Sequence, residues 1–316
     1  MPRYLHLHRT GQLAGRAAMA LERLSPCSLC PRQCGVDRLG DERGLCLVGR
    51  NALVASYHLH FGEESPLSGT GGSGTIFFAG CNLGCVFCQN YDISHATDGA
   101  IETGPQQLAG IMLELQQQGA HNINVVTPTH VTAQILAALP LAADMGLRIP
   151  LVWNTSSYER TETLDLLDGV VDVFLPDIKF WDEQHARGYA HAPDYPECAR
   201  RALEIMHRQV GDLVLDADGL ATQGLLVRHL VMPDDIAGTR EWMHFLAEKI
   251  SRQTWVNLMD QYRPCGQASL FPEIARTIRP EEYARAREMA EAADITRLDD
   301  RNDRLAFHLV RALLPR

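Results

Sequence analysis

Three cysteines in one short stretch carry the most specific chemistry of this sequence. Cys81, Cys85 and Cys88 have the spacing C-x3-C-x2-C. Three thiolates on one loop can each hold one iron of a 4Fe–4S cube, which leaves the fourth iron without a protein ligand. The alternatives are a zinc site, which usually has four protein ligands when structural, and unrelated buried thiols. The tight grouping favours an iron–sulfur cluster with one open coordination position.

A second group of four cysteines lies nearer the N-terminus. Cys27, Cys30, Cys34 and Cys46 have the spacing C-x2-C-x3-C-x11-C. Four thiolates can close a tetrahedral zinc site or hold a complete 4Fe–4S cluster, and the spacing leaves both open. A zinc site here would be structural, whereas an iron–sulfur cluster would relay electrons or bind substrate. Closed four-cysteine sites commonly stabilise small loops, which favours a structural metal.

The two remaining cysteines stand alone. Cys198 falls in a predicted helix and is interpreted as packing. Cys265 follows the last predicted strand and is a weak catalytic candidate as a radical partner, although a lone cysteine is more often packing. An odd total of nine cysteines in close spacings suits metal ligation better than a disulfide framework, so we expect a reducing cytoplasm.

The elements that must position these cysteines follow from a regular alternation after residue 70. Six short apolar runs, separated by helical patterns, predict β-α units and a parallel sheet. The runs cover residues 75–79, 123–127, 149–153, 170–175, 225–231 and 254–259. Six units are too few for a closed eight-unit barrel, so the prediction is an α/β fold, a partial (β/α)6 barrel whose active site lies at the carboxyl ends of the strands.

Polar residues do follow the runs, as such a site requires. The segments are 80–90, 127–130, 154–157, 177–179, the stretch around Arg228, and 260–263. Upstream, a helix at about residues 11–24 precedes the cysteine-rich metal-binding segment. We therefore expect residues 1–69 to form the N-terminal helix and cysteine-rich segment, and residues 70–316 the barrel core with C-terminal helices.

Length and charge exclude several classes of protein. The chain has 316 residues, with 29 basic and 39 acidic side chains, so its formal net charge is −10. Such an acidic chain has no broad electrostatic footprint for nucleic acid or for an anionic membrane. No apolar run approaches the roughly 20 residues needed to span a bilayer. We therefore expect no membrane association.

The cysteine motif and its flanks resemble a known group. C-x3-C-x2-C with Phe87 before the third cysteine is similar to the radical S-adenosylmethionine (SAM) enzymes, and the chain resembles their pyruvate formate-lyase activating enzyme-related group. The supporting strings are SPCSLCPRQCG (25–35), FFAGCNLGCVFCQN (77–90), NINVVTPTH (122–130), VFLPDIKF (173–180), RHLVMP (228–233) and NLMDQYRP (257–264).

This resemblance implies a mechanism and a set of site residues. SAM would chelate the open iron, and one electron from the reduced cluster would cleave its sulfonium to a 5′-deoxyadenosyl radical that abstracts hydrogen from a substrate. By the resemblance, Cys81, Cys85 and Cys88 bind the cluster, and the cofactor is contacted by Phe87, Thr129, His130, Asn154, Ser156, Asp177, Lys179 and Arg228. The Thr129–His130 segment departs from the Gly-Gly-Glu string of many relatives.

The resemblance also implies partners. A reducing protein such as flavodoxin or ferredoxin would supply the electron. The substrate would be a glycyl-radical enzyme to be activated, or a peptide or small molecule to be modified. Two other functions compete with this oxidoreductase-type enzyme: a non-catalytic iron–sulfur protein for electron transfer or scaffolding, and a zinc-dependent nucleic-acid binder, against which the net charge of −10 argues.

Overall fold

The computed structural model describes residues 1–299 and is built around one mostly parallel β-sheet. Seven strands run parallel to one another: six in the order β2-β4-β5-β6-β8-β9, and the two-residue β10 beside β9 at the edge. The strands of the sheet are β1 (Ala52–His60), β2 (Ser73–Phe78), β3 (Ile101–Thr103), β4 (Ile123–Val126), β5 (Leu151–Thr155), β6 (Val173–Ile178), β7 (Val214–Leu215), β8 (Ala221–Leu230), β9 (Trp255–Met259) and β10 (Arg297–Leu298). The first six of the parallel strands coincide with the six apolar runs.

Helices connect the parallel strands, as the alternation predicts. The helices are α1 (Tyr4–Arg9), α2 (Gln12–Glu22), α3 (Ser65–Ser68), α4 (Tyr91–Ser94), α5 (Pro105–Gln117), α6 (Thr132–Asp144), α7 (Thr161–Leu167), α8 (Glu183–Ala190), α9 (Tyr195–Val210), α10 (Thr239–Phe245) and α11 (Pro280–Ala292). Proline occupies the first or second helical position of α5, α9 and α11, where its missing N–H costs no hydrogen bond. The α/β prediction is confirmed.

The sheet is open, with β3 at one edge and β10 at the other. Its first strand, β1, was not anticipated from the sequence. It pairs antiparallel with both β2 and β3, so it extends the sheet beyond the first parallel strand. The predicted boundary between residues 69 and 70 therefore falls between two neighbouring strands of the same sheet. The division into two domains stays a prediction.

A loop closes the amino-terminal end of the partial barrel. Leu67, in the short helix α3, is fully buried and packs against Val152, Val173, Leu175 and Leu226, which lie on the inner face of three parallel strands. The Nδ2 group of Asn122, the residue before β4, donates to the Leu67 carbonyl at 2.8 Å. The apolar contacts seal the lower half of the barrel and leave the carboxyl-terminal half for polar side chains.

The N-terminal helices pack on the outside of the barrel. Helix α2 lies against α6, and α1 is fixed by the Tyr4 hydroxyl, which donates to the Ile149 carbonyl at 3.1 Å. The buried Asp172 carboxylate accepts from the backbone N–H groups of Arg3 (2.7 Å) and Leu151 (2.8 Å). Within residues 1–299, none of the helices has both the length and the apolar character that crossing a bilayer requires.

Candidate active site

A cleft of about 440 Å³ opens at the carboxyl ends of the parallel strands. It is bounded by the loop after β2 on one side and by the ends of β4, β5, β6, β8 and β9 on the other. The predicted site residues that line it are Cys81, Cys85, Phe87, Cys88, Asn154, Ser156, Asp177, Lys179 and Arg228. The fold therefore brings side chains that are up to 147 positions apart, from Cys81 to Arg228, into one cleft.

The cysteine loop is shaped by two glycines in the left-handed region. Gly80 and Gly84 have φ of 79° and 80°, which other residues adopt at a cost. The backbone N–H of Leu83 points back at the Cys81 Sγ atom, 3.3 Å away. Such N–H groups stabilise a negatively charged sulfur, the form in which cysteine binds metal. The loop is therefore folded to present three sulfurs with backbone support.

The free thiols of this loop resist ionisation on their own. Burial raises the pKa of both Cys81 and Cys85, while the Lys179 ammonium acts in the opposite direction on each. Metal binding reverses this balance because the metal charge favours the thiolate. No three His, Cys, Asp or Glu side chains in residues 1–299 are grouped as ligands of a single metal ion. A 4Fe–4S cube needs no such grouping, since each thiolate bonds to a different iron.

A charged network forms the floor of the cleft. The Arg228 guanidinium donates from Nε to Asp177 Oδ1 (2.6 Å), from Nη2 to Asn154 Oδ1 (2.6 Å) and from Nη1 to Glu63 Oε2 (3.3 Å). Lys179 Nζ donates to the other Asp177 oxygen at 3.2 Å. The three bonds of Arg228 use three of its five N–H donors, so two remain for an anionic ligand.

The network fixes the charge of its members. Burial alone would raise the pKa of Asp177, but Arg228 and Lys179 outweigh it and hold that pKa below its ordinary value. Burial alone would lower the pKa of Lys179, but Asp177 outweighs it and the pKa is raised. Asp177 is therefore a carboxylate and Lys179 an ammonium across the neutral range.

The strand ends are held in register by one tyrosine. Tyr195, at the start of α9, accepts through its hydroxyl from the Lys179 backbone N–H at 2.9 Å. The same hydroxyl donates toward the carbonyls of Ser156 (3.0 Å) and Asp177 (3.1 Å). The loops after β5 and β6 thus share one anchor, which fixes the spacing between Ser156 and Asp177.

Phe87 and Thr127 shape the walls of the cleft. The Phe87 ring is 4% exposed and packs edge-on against Phe180, with ring centroids 5.6 Å apart. Thr127, at the end of β4, has φ of 54°, a strained conformation for a β-branched residue. Its N–H is held by the Asn154 carbonyl at 2.8 Å. Strain of this kind concentrates at functional sites.

Three predicted residues do not line the cleft. Thr129 is buried and donates to the Glu159 carboxylate at 2.8 Å. His130 is buried too, and its Nε2 atom donates to the Ala79 carbonyl at 3.0 Å, while burial lowers its pKa to about 4. Both side chains therefore point into the protein interior and do not line the cleft, and their contact with a cofactor stays a prediction. Cys265 is partly buried beside Tyr262, outside the residues that line the cleft.

Sequence reasoning missed two acidic residues of the site. Glu63 and Glu64 precede α3 and rise from the loop that closes the barrel. Glu63 pairs with Arg228, and Glu64 accepts from the Asn257 Nδ2 group at 2.6 Å. Asn257 lies on β9 in one of the quoted strings but was not singled out. The one signal is a pair of acids that follows the partly apolar stretch at 52–60, whose mixed pattern does not mark a strand.

The second cysteine group surrounds a separate small cavity. Cys27, Cys30, Cys34 and Cys46 all line it, together with Arg32, Arg38, Asn82 and His130. Burial, and to a smaller extent the neighbouring cysteines, raise the pKa of the Cys30 thiol to about 12 against the effect of a backbone hydrogen bond. The four cysteines thus line one cavity, and metal binding by them stays a prediction.

Comparison with known proteins finds relatives that align with most of this chain. An uncharacterized protein of Methanocaldococcus jannaschii is 32% identical over 281 residues, covering 87% of this chain and 77% of the relative. A second uncharacterized protein of that organism is 25% identical over 265 residues, covering 76% of this chain and 72% of the relative. Residues 75–217 match the Radical SAM superfamily.

Three solved structures share part of the fold. They are Streptococcus suis SuiB bound to the precursor peptide SuiA (14% identity, TM-score 0.43), a radical SAM methyltransferase from Sphaerobacter thermophilus (12%, 0.46), and the radical SAM methyltransferase TsrM from Kitasatospora setae with tryptophan and a SAM analogue (18%, 0.44). They cover 67%, 69% and 65% of this chain, which spans 43%, 64% and 38% of theirs. At these TM-scores they carry no weight for the reaction. The matched residues include Cys81, Cys85 and Cys88, so residues 75–217 form a radical SAM superfamily domain.

Proposed function

We propose that the chain is an enzyme that cleaves SAM reductively and uses the product radical to abstract hydrogen from a substrate. One observation carries the proposal: the three sulfurs of the C-x3-C-x2-C loop and the Asp177–Lys179–Arg228 network line the same cleft. Such a reaction needs two surfaces in one cleft. One is a set of sulfurs that binds a cluster with an open iron, and the other is a charged surface that binds the amino acid part of SAM. Superfamily membership implies SAM and a 4Fe–4S cluster.

The residues present fit these groups. Cys81, Cys85 and Cys88 would hold the cluster, with the Leu83 N–H and the Lys179 ammonium near the sulfurs. When bound there, the cluster and SAM supply a single electron and a carbon radical. The two remaining N–H donors of Arg228 suit the SAM carboxylate, because a guanidinium pairs with a carboxylate bidentately.

Other side chains would position SAM along the cleft. Asp177 and Asn154 orient the Arg228 guanidinium from two sides. Ser156 lines the cleft, and its buried Oγ atom has no hydrogen-bond partner among the described residues, so it would be available to a polar group of the ligand. Phe87 supplies an apolar wall that excludes water beside the third cysteine, which protects a radical from side reactions.

Production of 5′-deoxyadenosine tests this proposal. The protein is reconstituted anaerobically with iron and sulfide, reduced with dithionite and given SAM. We expect 5′-deoxyadenosine from the wild type and none from Cys85→Ala. Cys198→Ala is the matched control because Cys198 lies on α9 outside the cleft. We expect it to keep both iron content and product.

The outcome separates the enzyme from its main competitor. A fully loaded cluster that yields no 5′-deoxyadenosine with SAM would overturn the enzymatic proposal in favour of an electron-transfer or scaffold role. Product that persists in Cys85→Ala would show that SAM is cleaved elsewhere.

The resemblance to the activating-enzyme group extends the proposal to the substrate. We infer that hydrogen is abstracted from a glycine in a peptide loop of a partner enzyme. Deuterium transfer into 5′-deoxyadenosine tests this, with an extract of deuterated cells of the source organism split at 10 kDa. Deuterium from the large fraction, with a glycyl radical seen by EPR, is the expected result. Deuterium from the small fraction alone assigns a small-molecule substrate, and transfer from protein without a glycyl radical assigns peptide modification.

Two further parts of the proposal concern the rest of the chain. A one-electron donor of the flavodoxin or ferredoxin class would reduce the cluster. Residues 1–69 would form a helical and cysteine-rich unit that binds a second metal group, zinc or 4Fe–4S, through Cys27, Cys30, Cys34 and Cys46, and residues 70–316 the catalytic core. The metal content of the purified chain tests the second site.

A further inference from the structure

The cavity among the four N-terminal cysteines contains a buried cation without a carboxylate. Arg38 is 1% exposed and lines this cavity. Its Nε atom donates to the Gly49 carbonyl at 3.0 Å and its Nη1 atom to the His130 carbonyl at 2.7 Å. Within residues 1–299 its Nη2 atom has no hydrogen-bond partner, and none of the salt bridges includes Arg38.

A buried guanidinium needs a negative partner, because removing a charge from water is costly unless another charge compensates it. A side chain beside Arg38 that can become negative is Cys27, whose Sγ atom lies 4.0 Å from Nη1. Neutral thiols would leave the cation uncompensated. Four thiolates carry more negative charge than the positive charge of a zinc ion or of a 4Fe–4S core. Either group, bound by the four cysteines, would therefore place net negative charge beside Arg38.

The inner wall of the cavity is the loop that carries the other three cysteines. Asn82, directly after Cys81, lines the cavity, is fully buried, and has an unpartnered Oδ1 atom. Arg32 joins the two segments by donating from Nε to the Asn82 carbonyl (2.9 Å) and from Nη2 to the Leu83 carbonyl (2.8 Å). A Cβ atom on Gly80 would collide with the Cys46 carbonyl oxygen. The two cysteine segments are thus in direct contact.

The outer side of the cavity reaches the surface. Cys27, Cys30 and Cys46 are buried, whereas Cys34 is exposed. One edge of the site therefore faces solvent and the opposite edge faces the Cys81 loop. A purely structural zinc knot needs neither feature, but a group that receives electrons outside and passes them inward needs both.

We propose that Cys27, Cys30, Cys34 and Cys46 hold a second 4Fe–4S cluster, with Arg38 as its counter-ion, and that this cluster admits electrons to the one at Cys81, Cys85 and Cys88. The step transfers one electron and no atoms. A flavodoxin-class donor is oxidised by one electron, the second cluster is reduced and then reoxidised, and the first cluster is reduced. The relay role rests on the proposed function, whereas the identity of the second cluster does not.

Metal content tests the site without reference to activity. The full chain with Cys81→Ala, Cys85→Ala and Cys88→Ala loses the ligands of the first cluster. After anaerobic reconstitution we expect about four irons and four sulfides per chain in this triple variant and about eight of each in the wild type. We also expect an EPR signal from the reduced triple variant. One zinc and no iron would overturn the cluster, and absence of any bound metal would overturn the site.

Arg38 is tested separately from folding. Arg38→Met removes the counter-ion, and we expect the triple variant that carries it to lose more than half of its iron. Arg38→Lys keeps the charge and should retain most of it. Arg43→Met is the matched control, because Arg43 is a partly exposed arginine of the same segment that pairs with Asp41. Equal iron in the Arg38→Met and Arg43→Met backgrounds would contradict the counter-ion role.

The direction of electron flow is tested in the wild type. Reduced flavodoxin is mixed with the oxidised protein and the reaction is freeze-quenched for EPR, with the triple variant supplying the reference spectrum of the second cluster. We expect the second-cluster signal to rise first and that of the first cluster to follow. A first-cluster signal that rises first overturns the relay but leaves the cluster assignment intact. Absence of 5′-deoxyadenosine from a chain whose triple variant retains iron would overturn the proposed function alone.

Discussion

His229 makes the stability of the barrel depend on pH, and the effect can be worked out from its contacts. It lies on β8 next to Arg228 and is fully buried. Its Nδ1 atom lies 3.3 Å from the Ile178 carbonyl and its Nε2 atom 2.9 Å from the Thr239 hydroxyl. Because a carbonyl oxygen only accepts, Nδ1 carries the proton and Nε2 accepts from Thr239. A second proton has no place in this arrangement.

The pKa values give the sign and the size of the effect. Burial lowers the pKa of His229 from 6.5 to about 4. Between pH 6.5 and pH 4, this histidine is therefore protonated in the unfolded chain but neutral in the folded chain. The free energy of unfolding consequently decreases as the pH falls from about 6.5 to 4. At pH 5 the loss relative to pH 7 is about 2 kcal/mol from this residue, and His229→Gln should remove that share.

Urea denaturation at pH 7 and pH 5, with variant and wild type side by side under anaerobic conditions, measures this difference. All other titrating groups are common to both proteins and cancel. Thr239→Val is the control, because it removes the same hydrogen bond but keeps the imidazole. It should lower stability at both pH values and keep most of the pH dependence. A His229→Gln variant with the same pH dependence as the wild type would refute the neutral, buried histidine.

Three further predictions test other parts of the structure. Gly80 and Gly84 have nearly the same φ, so substitution by alanine has the same backbone cost at both, but only a Cβ atom at Gly80 meets the Cys46 carbonyl. We therefore expect Gly80→Ala to be less stable in urea than Gly84→Ala by about 1–3 kcal/mol. Equal stabilities would contradict the contact between the two cysteine segments. Arg228→Met removes the guanidinium that pairs with the Asp177 and Glu63 carboxylates, so it should cost about 3–5 kcal/mol and abolish 5′-deoxyadenosine formation. Arg228→Lys should recover part of the stability but little of the product. Full activity in either variant would remove Arg228 from the site. Leu67→Ala should lower the free energy of unfolding by about 2–5 kcal/mol in the same urea assay, because Leu67 is fully buried in the cluster that closes the barrel. A decrease below about 1 kcal/mol would show that the loop does not close the barrel.

The parallel sheet could be predicted because its signal is local. Strands β2, β4, β5 and β6 and the middle of β8 and β9 are buried almost throughout, so each appears in the sequence as an apolar run that can be identified without its partner. The polar residues after the runs could be predicted for the same reason. Asp177 and Arg228 are far apart along the chain, but each follows from its own strand, and the parallel arrangement brings them together.

The acidic part of the cleft could not be predicted in this way. Glu63 and Glu64 reach Arg228 and Asn257 only because the preceding strand turns antiparallel and the loop enters the barrel from below. Strand β1 alternates between buried and exposed positions over part of its length, and its last residues are partly exposed, so no continuous apolar run marks it. Its pairing with β2 and β3 is a long-range property.

Thr129 and His130 lie outside the cleft for a different reason. Both follow β4 directly, so their position in sequence suits the cleft. The backbone turns sharply at Thr127, where φ is 54°, and the following 3-10 turn directs both side chains into the protein. The left-handed conformation of this one residue sets the direction of the two side chains that follow. A threonine in the sequence does not indicate that conformation.

The central claim is that SAM binds the open iron of a cluster held by Cys81, Cys85 and Cys88. Electron–nuclear double resonance on the reduced protein, with SAM that carries ¹⁵N at its amino group, tests it most directly. We predict a ¹⁵N hyperfine coupling to the cluster in the wild type that is absent from Cys85→Ala and retained in Cys198→Ala. A fully loaded, reduced cluster that shows no coupling to saturating labelled SAM would contradict the account.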